Sequence, residues 1–267
     1  MTNRIPRVLS IAGSDSGGGA GIQADLKAFA ACGVHGMTAI TAVTAQNTTG
    51  VRAIHAIPPA TIIAQVEAVA QDIGIDAVKV GMVGNEAAIE AVARALDGLE
   101  PETPVVVDPV LVAESGAALL EPEARAALIE LLLPRAAVAT PNLPEARALT
   151  SLEHDAPALA RALLSLGPGA VVVTGGHRPG GADVFYDGER LVELPGERHP
   201  GGSAHGSGCT HSACLAAALA WGWPALEAAR LARAMAARAV GAGLQQLGAG
   251  AGPVDVLGAA GTEPAVP

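Results

Sequence analysis

The chain has 267 residues, half of them apolar, which is enough for one large hydrophobic core and predicts a single domain over residues 1–267. A formal net charge of −10, only two lysines and 2% aromatic residues exclude the charge- and stacking-based modes of nucleic-acid binding. No run approaches the roughly 20 apolar residues of a membrane span and no secretion signal is recognisable, so we expect a cytoplasmic protein, without membrane contact, whose cysteines are reduced.

Short β-branched runs alternate with longer alanine- and leucine-rich runs along the chain. The short runs predict strands at 7–12, 38–43, 76–81, 104–108, 136–140 and 170–174. The longer runs predict helices at 20–32, 59–73, 85–98, 122–133, 156–166, 209–222 and 224–246. A hairpin joining 184–186 to 191–194 interrupts the alternation. This order predicts an α/β fold, a three-layer α/β/α sandwich with a mostly parallel central sheet, and a frayed tail at 258–267.

Segments rich in glycine, proline and asparagine follow all six predicted strands. They lie at 13–21, 44–48, 81–82, 108–110, 141–145 and 175–177. Any one of them is typical of an ordinary loop. In open parallel sheets, however, ligands bind beyond the carboxyl ends of the strands, so six such segments together predict a binding site at that edge.

The first of these segments, 13–21, reads Gly-Ser-Asp-Ser-Gly-Gly-Gly-Ala-Gly. It is not a dinucleotide fingerprint, because Ile22 stands where the third glycine is needed. It is not a P-loop, because Gly19-Ala20 follows Gly18 where a lysine and a serine or threonine are needed. Its glycines either let the backbone pass close under a flat ligand or form only a tight turn.

Asp25 and Gln46 lie near this segment and can both form hydrogen bonds to an amino-heterocycle. Asp25 falls in the first turns of the following helix, where an acid is ordinarily a partner of the helix dipole. Gln46 follows the second predicted strand, where it could equally satisfy only local backbone groups. Both alternatives stay open on the residues alone.

The segment Gly206-Ser207-Gly208-Cys209 precedes an apolar helix. A glycine turn at a helix start presents free N–H groups and the positive end of the dipole, which suits a phosphoryl group in transfer. The dipole should favour the Cys209 thiolate, which could polarise an attacking hydroxyl, or the cysteine could simply be a small residue that fits. Zinc is a competing interpretation, although the chain has neither a paired C-x-x-C nor an H-E-x-x-H motif. Its ligands would come from His199, His205, Cys209, His211 and Cys214.

Asp108, Asn142 and Glu145 follow the fourth and fifth predicted strands. Phosphoryl transfer uses Mg²⁺ bound to the phosphates, and carboxylate and amide oxygens suit that ion, so we expect Asp108 and Glu145 to hold it. Asn142 before Pro144-Glu145 is also typical of a helix N-cap with an acid in the first turn, and the two roles can coexist.

Together these segments resemble the hydroxymethylpyrimidine/phosphomethylpyrimidine kinases of thiamine biosynthesis, a family of the ribokinase-like superfamily. The resemblance runs from Ile11 to about Pro253 and is carried by 11–27, 44–48, 79–82, 108–110, 140–146 and 205–210. It implies a ribokinase-like fold, usually a homodimer, and two transfers from Mg-ATP. The first phosphorylates 4-amino-5-hydroxymethyl-2-methylpyrimidine and the second converts its monophosphate to the diphosphate.

Carried over to the matching positions, the resemblance implies a role for each part of the predicted edge. The pyrimidine would be held by Gly13, Asp25, Gln46, Met82 and Val110. The nucleotide would be held by Asn142, Glu145, Gly175 and Gly176, with Mg²⁺ at Asp108 and Glu145. Catalysis would fall to Gly206, Ser207, Gly208 and Cys209, with Cys209 where sugar kinases carry an aspartate. A largely dissociative transfer needs little proton removal before the transition state, so a thiol suffices there.

The chain departs from the family pattern at several positions. Glu114 and Thr174 stand where relatives often carry lysine, Ser207 replaces a frequent threonine, and 248–253 lacks a histidine often found there. Pyridoxine/pyridoxal kinase activity and a non-catalytic pyrimidine-binding module are the alternatives. Glu114 and Thr174 support the second alternative, whereas the Gly206–Cys209 turn and Glu145 speak against it.

Overall fold

The computed structural model describes residues 4–177, 180–197, 199 and 202–260. Its centre is a nine-stranded sheet with the order β3-β2-β1-β4-β5-β6-β7-β8-β9. The strands from β2 to β7 in this order are parallel, whereas β3, β8 and β9 pair antiparallel with their neighbours. The strands are β1 (Arg7–Asp15), β2 (His35–Asn47), β3 (Gly50–Ala56), β4 (Ala77–Val80), β5 (Val105–Val107), β6 (Val138–Ala139), β7 (Val171–Val173), β8 (Asp183–Tyr186) and β9 (Leu191–Leu194).

Helices cover both faces of the sheet. They are α1 (Gly21–Ala31), α2 (Pro59–Asp72), α3 (Glu86–Asp97), α4 (Ala124–Ala127), α5 (Leu143–Thr150), α6 (Ala156–Leu164), α7 (Ser207–Ala220) and α8 (Ala225–Gly241). One buried cluster packs α2 to α6 on one face, and a second packs α1, α7 and α8 on the other. Neighbouring residues of β1 show the division, since Leu9 belongs to the first cluster and Val8 to the second. The predicted three-layer α/β/α sandwich is confirmed.

The second predicted strand is longer than expected, and the prediction of a loop at 44–48 is largely wrong. β2 continues to Asn47 because β3, which was not predicted, pairs with it, for example Thr44 with Ile54. Most of β3 is exposed, so its residues lack the alternation of apolar and polar side chains that marks a half-buried strand. The functional consequence is that Thr44 and Gln46 lie on a rigid strand.

Two helical segments also differ from expectation. The predicted helix at 122–133 is instead the short α4, a π-helical turn at Leu128–Leu132 and a 3₁₀ turn at Leu133–Arg135. For α5 the sequence predicts only its N-cap at Asn142 and not the extent of the helix. The cap is confirmed, and the helix runs to Thr150. The last helix ends at Gly241 rather than at 246.

The end of the described chain is anchored. The Asp255 carboxylate accepts hydrogen bonds from the Ala259 and Ala260 amides at 2.9 and 2.8 Å, so 258–260 are not a frayed tail. Residues 261–267 of the predicted tail lie outside the described residues. In the part of the chain that the structure describes, no helix is long and apolar enough to cross a membrane.

Candidate active site

A cavity of about 440 Å³ lies at the carboxyl ends of the parallel strands, the edge at which the sequence predicts a site. Its walls come from the segments after β1, β4, β5, β6 and β7 and from the start of α7 and the side of α8. From β1 the chain continues to β2 on one side of it, and β4 and the later strands lie on its other side. The strand order therefore reverses at β1. Such switch points leave a crevice above the strand ends in α/β folds.

Gly13, Gln46, Met82 and Val110 all line one wall of this cavity. A Cβ at Gly13 would lie 2.9 Å from the Met82 sulfur, so a glycine is needed for Met82 to lie over the backbone there. The Gln46 side-chain oxygen accepts a hydrogen bond from the Thr44 hydroxyl at 3.1 Å. Its amide nitrogen has no partner among the described residues and can donate to a ligand. This wall is therefore partly apolar, with one oriented amide.

Asp15 organises the glycine segment, a role that sequence reasoning missed. Its carboxylate accepts hydrogen bonds from the Gly17, Gly19 and Ala20 amides at 2.8, 3.0 and 2.8 Å. His205 Nε2 lies 3.1 Å from the same carboxylate. Burial works to raise the pKa of Asp15, but the hydrogen bonds from His205 and the loop amides lower it below its usual value. Asp15 is therefore ionised at neutral pH and holds the segment in shape.

Asp25 lies beneath the cavity rather than in its wall. Its side chain and that of Lys79 are both fully buried, with Lys79 Nζ 3.0 and 2.9 Å from the two carboxylate oxygens. The Ser10 hydroxyl donates a third hydrogen bond to Asp25 at 2.5 Å. Direct contact between Asp25 and a pyrimidine stays a prediction, and the observed partners favour action through Lys79, which does line the cavity.

Lys79 keeps its charge in this buried position. Burial alone would lower the pKa of Lys79, but the negative charge of Asp25, with Asp108 further away, raises it above its usual value. Gly81 makes the necessary space, since a Cβ there would lie 2.6 Å from Nζ. The sequence signal for this residue is a lysine within a short apolar strand. The family resemblance includes it in 79–82 but implies no role for it.

The helix α7 begins at Ser207, after Gly206 in a left-handed conformation with φ of +82°. A Cβ at Gly206 would lie 1.8 Å from the Gly19 carbonyl oxygen, so the turn before α7 packs directly on the glycine segment. Gly206, Ser207, Gly208 and Cys209 all line the cavity. The Ser207 amide already donates to the Ala204 carbonyl at 3.0 Å. The first turn of α7, whose amides lack partners one turn earlier in the helix, therefore borders the same cavity as Gln46.

The expectation of a favoured Cys209 thiolate is wrong. Burial, together with the charges of Asp25 and Asp108, raises the pKa of Cys209 to about 12 against the opposing effects of Lys79 and the Gly21 amide. Desolvation and two nearby carboxylates outweigh the helix dipole, which sequence reasoning considered alone. Cys209 is a neutral thiol at physiological pH.

Asp108 and Glu145 form an acidic part of the cavity wall. Asp108 accepts a hydrogen bond from the Ser212 hydroxyl on α7 at 2.8 Å. Glu145 and Asn142 form a reciprocal capping box at the start of α5, each side chain accepting from the other's amide at 2.9 Å. Burial, with the charge of Asp108, raises the pKa of Glu145 to about 8. Two buried acids in one cavity wall are a suitable environment for a hard divalent cation.

No three histidine, cysteine, aspartate or glutamate side chains in the described ranges group closely enough to hold a metal ion by themselves. Of the five residues of the zinc interpretation, Cys214 is buried in the core between α1, α7 and α8. The other four line the cavity, but no three of them group closely enough to hold a metal ion. A cation at Asp108 and Glu145 would therefore have to take further ligands from a bound phosphate or from water.

The cavity also contains a polar group formed by Asp183, His211 and Arg233, of which the sequence analysis considers only His211, as a zinc ligand. Asp183 on β8 accepts a hydrogen bond from the Gly175 amide at 2.7 Å. His211 Nε2 lies 3.1 Å from Asp183 without the alignment of a hydrogen bond, and Arg233 Nε on α8 lies 3.7 Å away. Arg233 also donates to the Gly181 carbonyl. These residues are far apart in sequence, so only the fold brings them together.

The two glycines predicted to hold a nucleotide differ in position. Gly176 lines the cavity, whereas Gly175 packs behind it, where a Cβ would lie 2.3 Å from the carbonyl oxygens of Gly181 and Ala182. Direct contact of Gly175 with a nucleotide stays a prediction. Glu114 and Thr174 also line the cavity, so the two departures at which relatives often carry lysine both border the site.

Comparison with known proteins identifies the family. A family model described as phosphomethylpyrimidine kinase matches residues 15–255. The hydroxymethylpyrimidine/phosphomethylpyrimidine kinase of Rhizobium meliloti (strain 1021) is 50% identical over 254 residues, which cover 92% of this chain and 95% of that protein.

Solved structures share the fold. The pyridoxal kinase from Staphylococcus aureus in complex with pyridoxal has a TM-score of 0.85 and 34% identity, covering 95% of this chain and 94% of that one. The phosphomethylpyrimidine kinase from Clostridium difficile 630 has a TM-score of 0.76 and 40% identity, and the match covers 85% of this chain and 96% of that one. These relatives confirm the predicted ribokinase-like fold. The chain belongs to the phosphomethylpyrimidine kinase family.

Proposed function

We propose that this protein uses ATP to phosphorylate 4-amino-5-hydroxymethyl-2-methylpyrimidine and then converts the monophosphate to the diphosphate, in thiamine biosynthesis. The observation that carries the proposal is one cavity that is lined both by Gly13, Gln46 and Met82 and by the amino end of α7. A ring held on the wall would present its hydroxymethyl group to a phosphoryl group held at the helix. The family and the names of the curated relatives support the same activity.

The charges of the site suit phosphoryl transfer with little base catalysis. Gln46 can donate to a ring nitrogen, and the free amides of α7 can stabilise the charge on the transferred group. Lys79 adds a fixed positive charge at the base of the cavity. Cys209 is a neutral thiol, which suits a largely dissociative transfer, because the acceptor hydroxyl then needs little deprotonation before the transition state.

The nucleotide would occupy the arm of the cavity near Gly176 and Arg233. Structures of the Staphylococcus aureus pyridoxal kinase carry ADP or AMP-PCP, which supports ATP as the co-substrate here. Asp108 and Glu145, with Asn142 beside them, would hold Mg²⁺, which neutralises phosphate charge when bound. The homodimer and the cytoplasmic location stay predictions from the sequence.

ADP release measured in parallel with the hydroxymethylpyrimidine, its monophosphate and pyridoxal tests the proposal. We expect turnover with the first two substrates. Pyridoxal is the second candidate substrate because the structure of a pyridoxal kinase matches this chain with a TM-score of 0.85. Turnover with pyridoxal alone would favour pyridoxal kinase activity. Tight binding of the pyrimidine without ADP release would instead indicate a non-catalytic binding protein.

A further inference from the structure

Two parts of the active site that lie far apart in sequence meet at one side-chain contact. The segment 13–21 contributes Gly13 to the predicted substrate wall, and the start of α7 lines the same cavity, where its amides would hold the transferred phosphoryl group under the proposed function. His205 immediately precedes this turn, and its Nε2 lies 3.1 Å from the Asp15 carboxylate. Both side chains are buried, with 8% of His205 and 3% of Asp15 exposed, so water competes little for the contact.

The direction of this hydrogen bond follows from its partners. Asp15 already accepts three hydrogen bonds from loop amides, and an ionised carboxylate can only accept. Nε2 of His205 therefore carries the hydrogen and donates it. The histidine side of the contact is fixed as well, because the His205 carbonyl accepts a hydrogen bond from the Val254 amide at 3.1 Å.

The backbones around this contact have little freedom to adapt. A Cβ at Gly19 would lie 2.2 Å from the His205 ring, and a Cβ at Gly206 would lie 1.8 Å from the Gly19 carbonyl oxygen. The two segments therefore touch over several atoms, with Asp15 and His205 as the side-chain link between them. The link lies beside the reacting groups, yet neither residue has a role in the transfer described above.

We propose that His205 is a positioning residue for phosphoryl transfer, which holds the substrate segment 13–21 in register with the start of α7 through its hydrogen bond to Asp15. The inference rests on the proposed function. An in-line transfer requires acceptor and phosphoryl group within a few tenths of an ångström of the reactive arrangement, and a displacement of about 1 Å can cost about 10²-fold in rate. Loss of the link should therefore lower kcat more than it weakens the binding of either substrate.

Two substitutions of similar length test this role. His205→Leu removes the donor, whereas His205→Gln keeps an N–H that can reach Asp15. We expect His205→Leu to lower kcat at least about tenfold with KM for pyrimidine and ATP within about threefold, and His205→Gln to keep kcat within about threefold. His154→Leu, at an exposed histidine, is the matched control and should behave as the wild type. Thermal unfolding of each variant reports on the fold.

Coupling to Asp15 is measured in the same assay. In an Asp15→Asn background, which weakens the link already, His205→Leu should cost less than about twofold, because residues that act as one unit are not additive. Equal losses in His205→Leu and His205→Gln, a loss confined to KM, or full additivity would overturn the inference. If His205→Leu does not fold, His205→Gln decides alone: kcat within about threefold supports the role and a loss above about tenfold overturns it.

The assay also separates this inference from the function on which it rests. A wild-type chain without kinase activity would overturn both. An active wild type with an equally active His205→Leu variant would overturn this inference and leave the proposed function standing.

Discussion

Cys209 carries its proton across the physiological pH range, because burial raises the pKa of its thiol to about 12. At neutral pH almost none of the thiol is then in the thiolate form that a general base requires. The neutral thiol can instead hold the acceptor hydroxyl in place, and a largely dissociative transfer leaves proton removal to a late stage. Position, more than basicity, is then the contribution of this residue.

Replacing Cys209 by alanine should therefore lower kcat, by roughly 10²-fold if the thiol acts like a single transition-state donor, and leave the KM for ATP nearly unchanged. Steady-state kinetics with varied ATP measures both quantities. Full turnover in Cys209→Ala would remove the thiol from the mechanism.

The protonation state of Cys209 can be checked independently by alkylation with iodoacetamide and mass mapping. Only the thiolate reacts, so the labelling rate of Cys209 should rise about tenfold per pH unit up to pH ~9 without reaching a plateau. Cys32 is an internal control, because its hydrogen bond with Cys214 lowers the pKa of the Cys32 thiol and it is partly exposed. A plateau for Cys209 near neutral pH would contradict the assignment of a neutral thiol.

The roles of single residues were predictable from sequence only where a motif carried them. Gln46 and Met82 were assigned through the family resemblance, and both line the cavity. Asp15 and His205 lie in segments that carry the family resemblance. Their contact joins positions 190 residues apart, however, and no local sequence pattern indicates it. The pKa of Cys209 was mispredicted because it depends on Asp25 and Asp108, which approach it only in the folded chain.

At the scale of elements, one buried ion pair joins the helix α1 to the strand β4. Asp25 lies on α1 and Lys79 on β4, and neither side chain is exposed. Such a pair contributes little net stability compared with a well-packed apolar pair, but removing one partner leaves an uncompensated buried charge. The pair also keeps a positive charge at the base of the cavity, so its effects on stability and on activity can be separated.

Lys79→Met should lower the free energy of unfolding by about 3–5 kcal/mol, because it leaves the Asp25 carboxylate buried without its counter-ion. The double variant Lys79→Met/Asp25→Asn should recover much of that loss, since the amide can still accept from Ser10 and carries no charge. Denaturant unfolding measures both variants. We expect the double variant to stay far below wild-type activity, because the charge of Lys79 is still missing.

Additive stability losses in the double variant would show that the two residues act separately. Recovery of activity together with stability would show that Lys79 serves only the fold. The first outcome would contradict the coupling of the two residues in one ion pair, and the second would contradict the assignment of Lys79 to the site.

Elements differ in how well the sequence predicts them, for physical reasons. The buried parallel strands are continuous apolar runs, so β1 and β4 were placed within a few residues. The edge strand β3 was missed because exposure removes that signal. The helix α5 has eight residues and only a short apolar stripe, so its capping box was a clearer signal than its periodicity.

At the scale of the whole molecule, an acidic chain with a net charge of −10 has to bind a polyanionic nucleotide. Among the described residues, Lys79 and Arg233 are the lysine and arginine side chains that line the cavity, and Lys79 is already committed to its ion pair with Asp25. Arg233 stands beside Asp183 at 3.7 Å without a hydrogen bond to it, so its guanidinium is only partly committed. Thr174 and Glu114 supply no charge that could replace it.

Arg233→Ala should therefore raise the KM for ATP by about 10- to 100-fold with little change in the KM for the pyrimidine, since a hydrogen bond to a charged group contributes about 1.5–3 kcal/mol. The KM for ATP of Arg233→Lys should fall between those of the wild type and Arg233→Ala, because lysine keeps the charge but lacks the planar guanidinium that forms paired hydrogen bonds. Arg230→Ala is the matched control on the same helix, where the side chain is exposed and pairs with Glu227 at 3.6 Å. An unchanged KM for ATP in Arg233→Ala would mean that backbone amides and magnesium hold the nucleotide without this arginine. An equal rise in both KM values would instead indicate that Arg233 supports the shape of the cavity through Gly181 and Asp183.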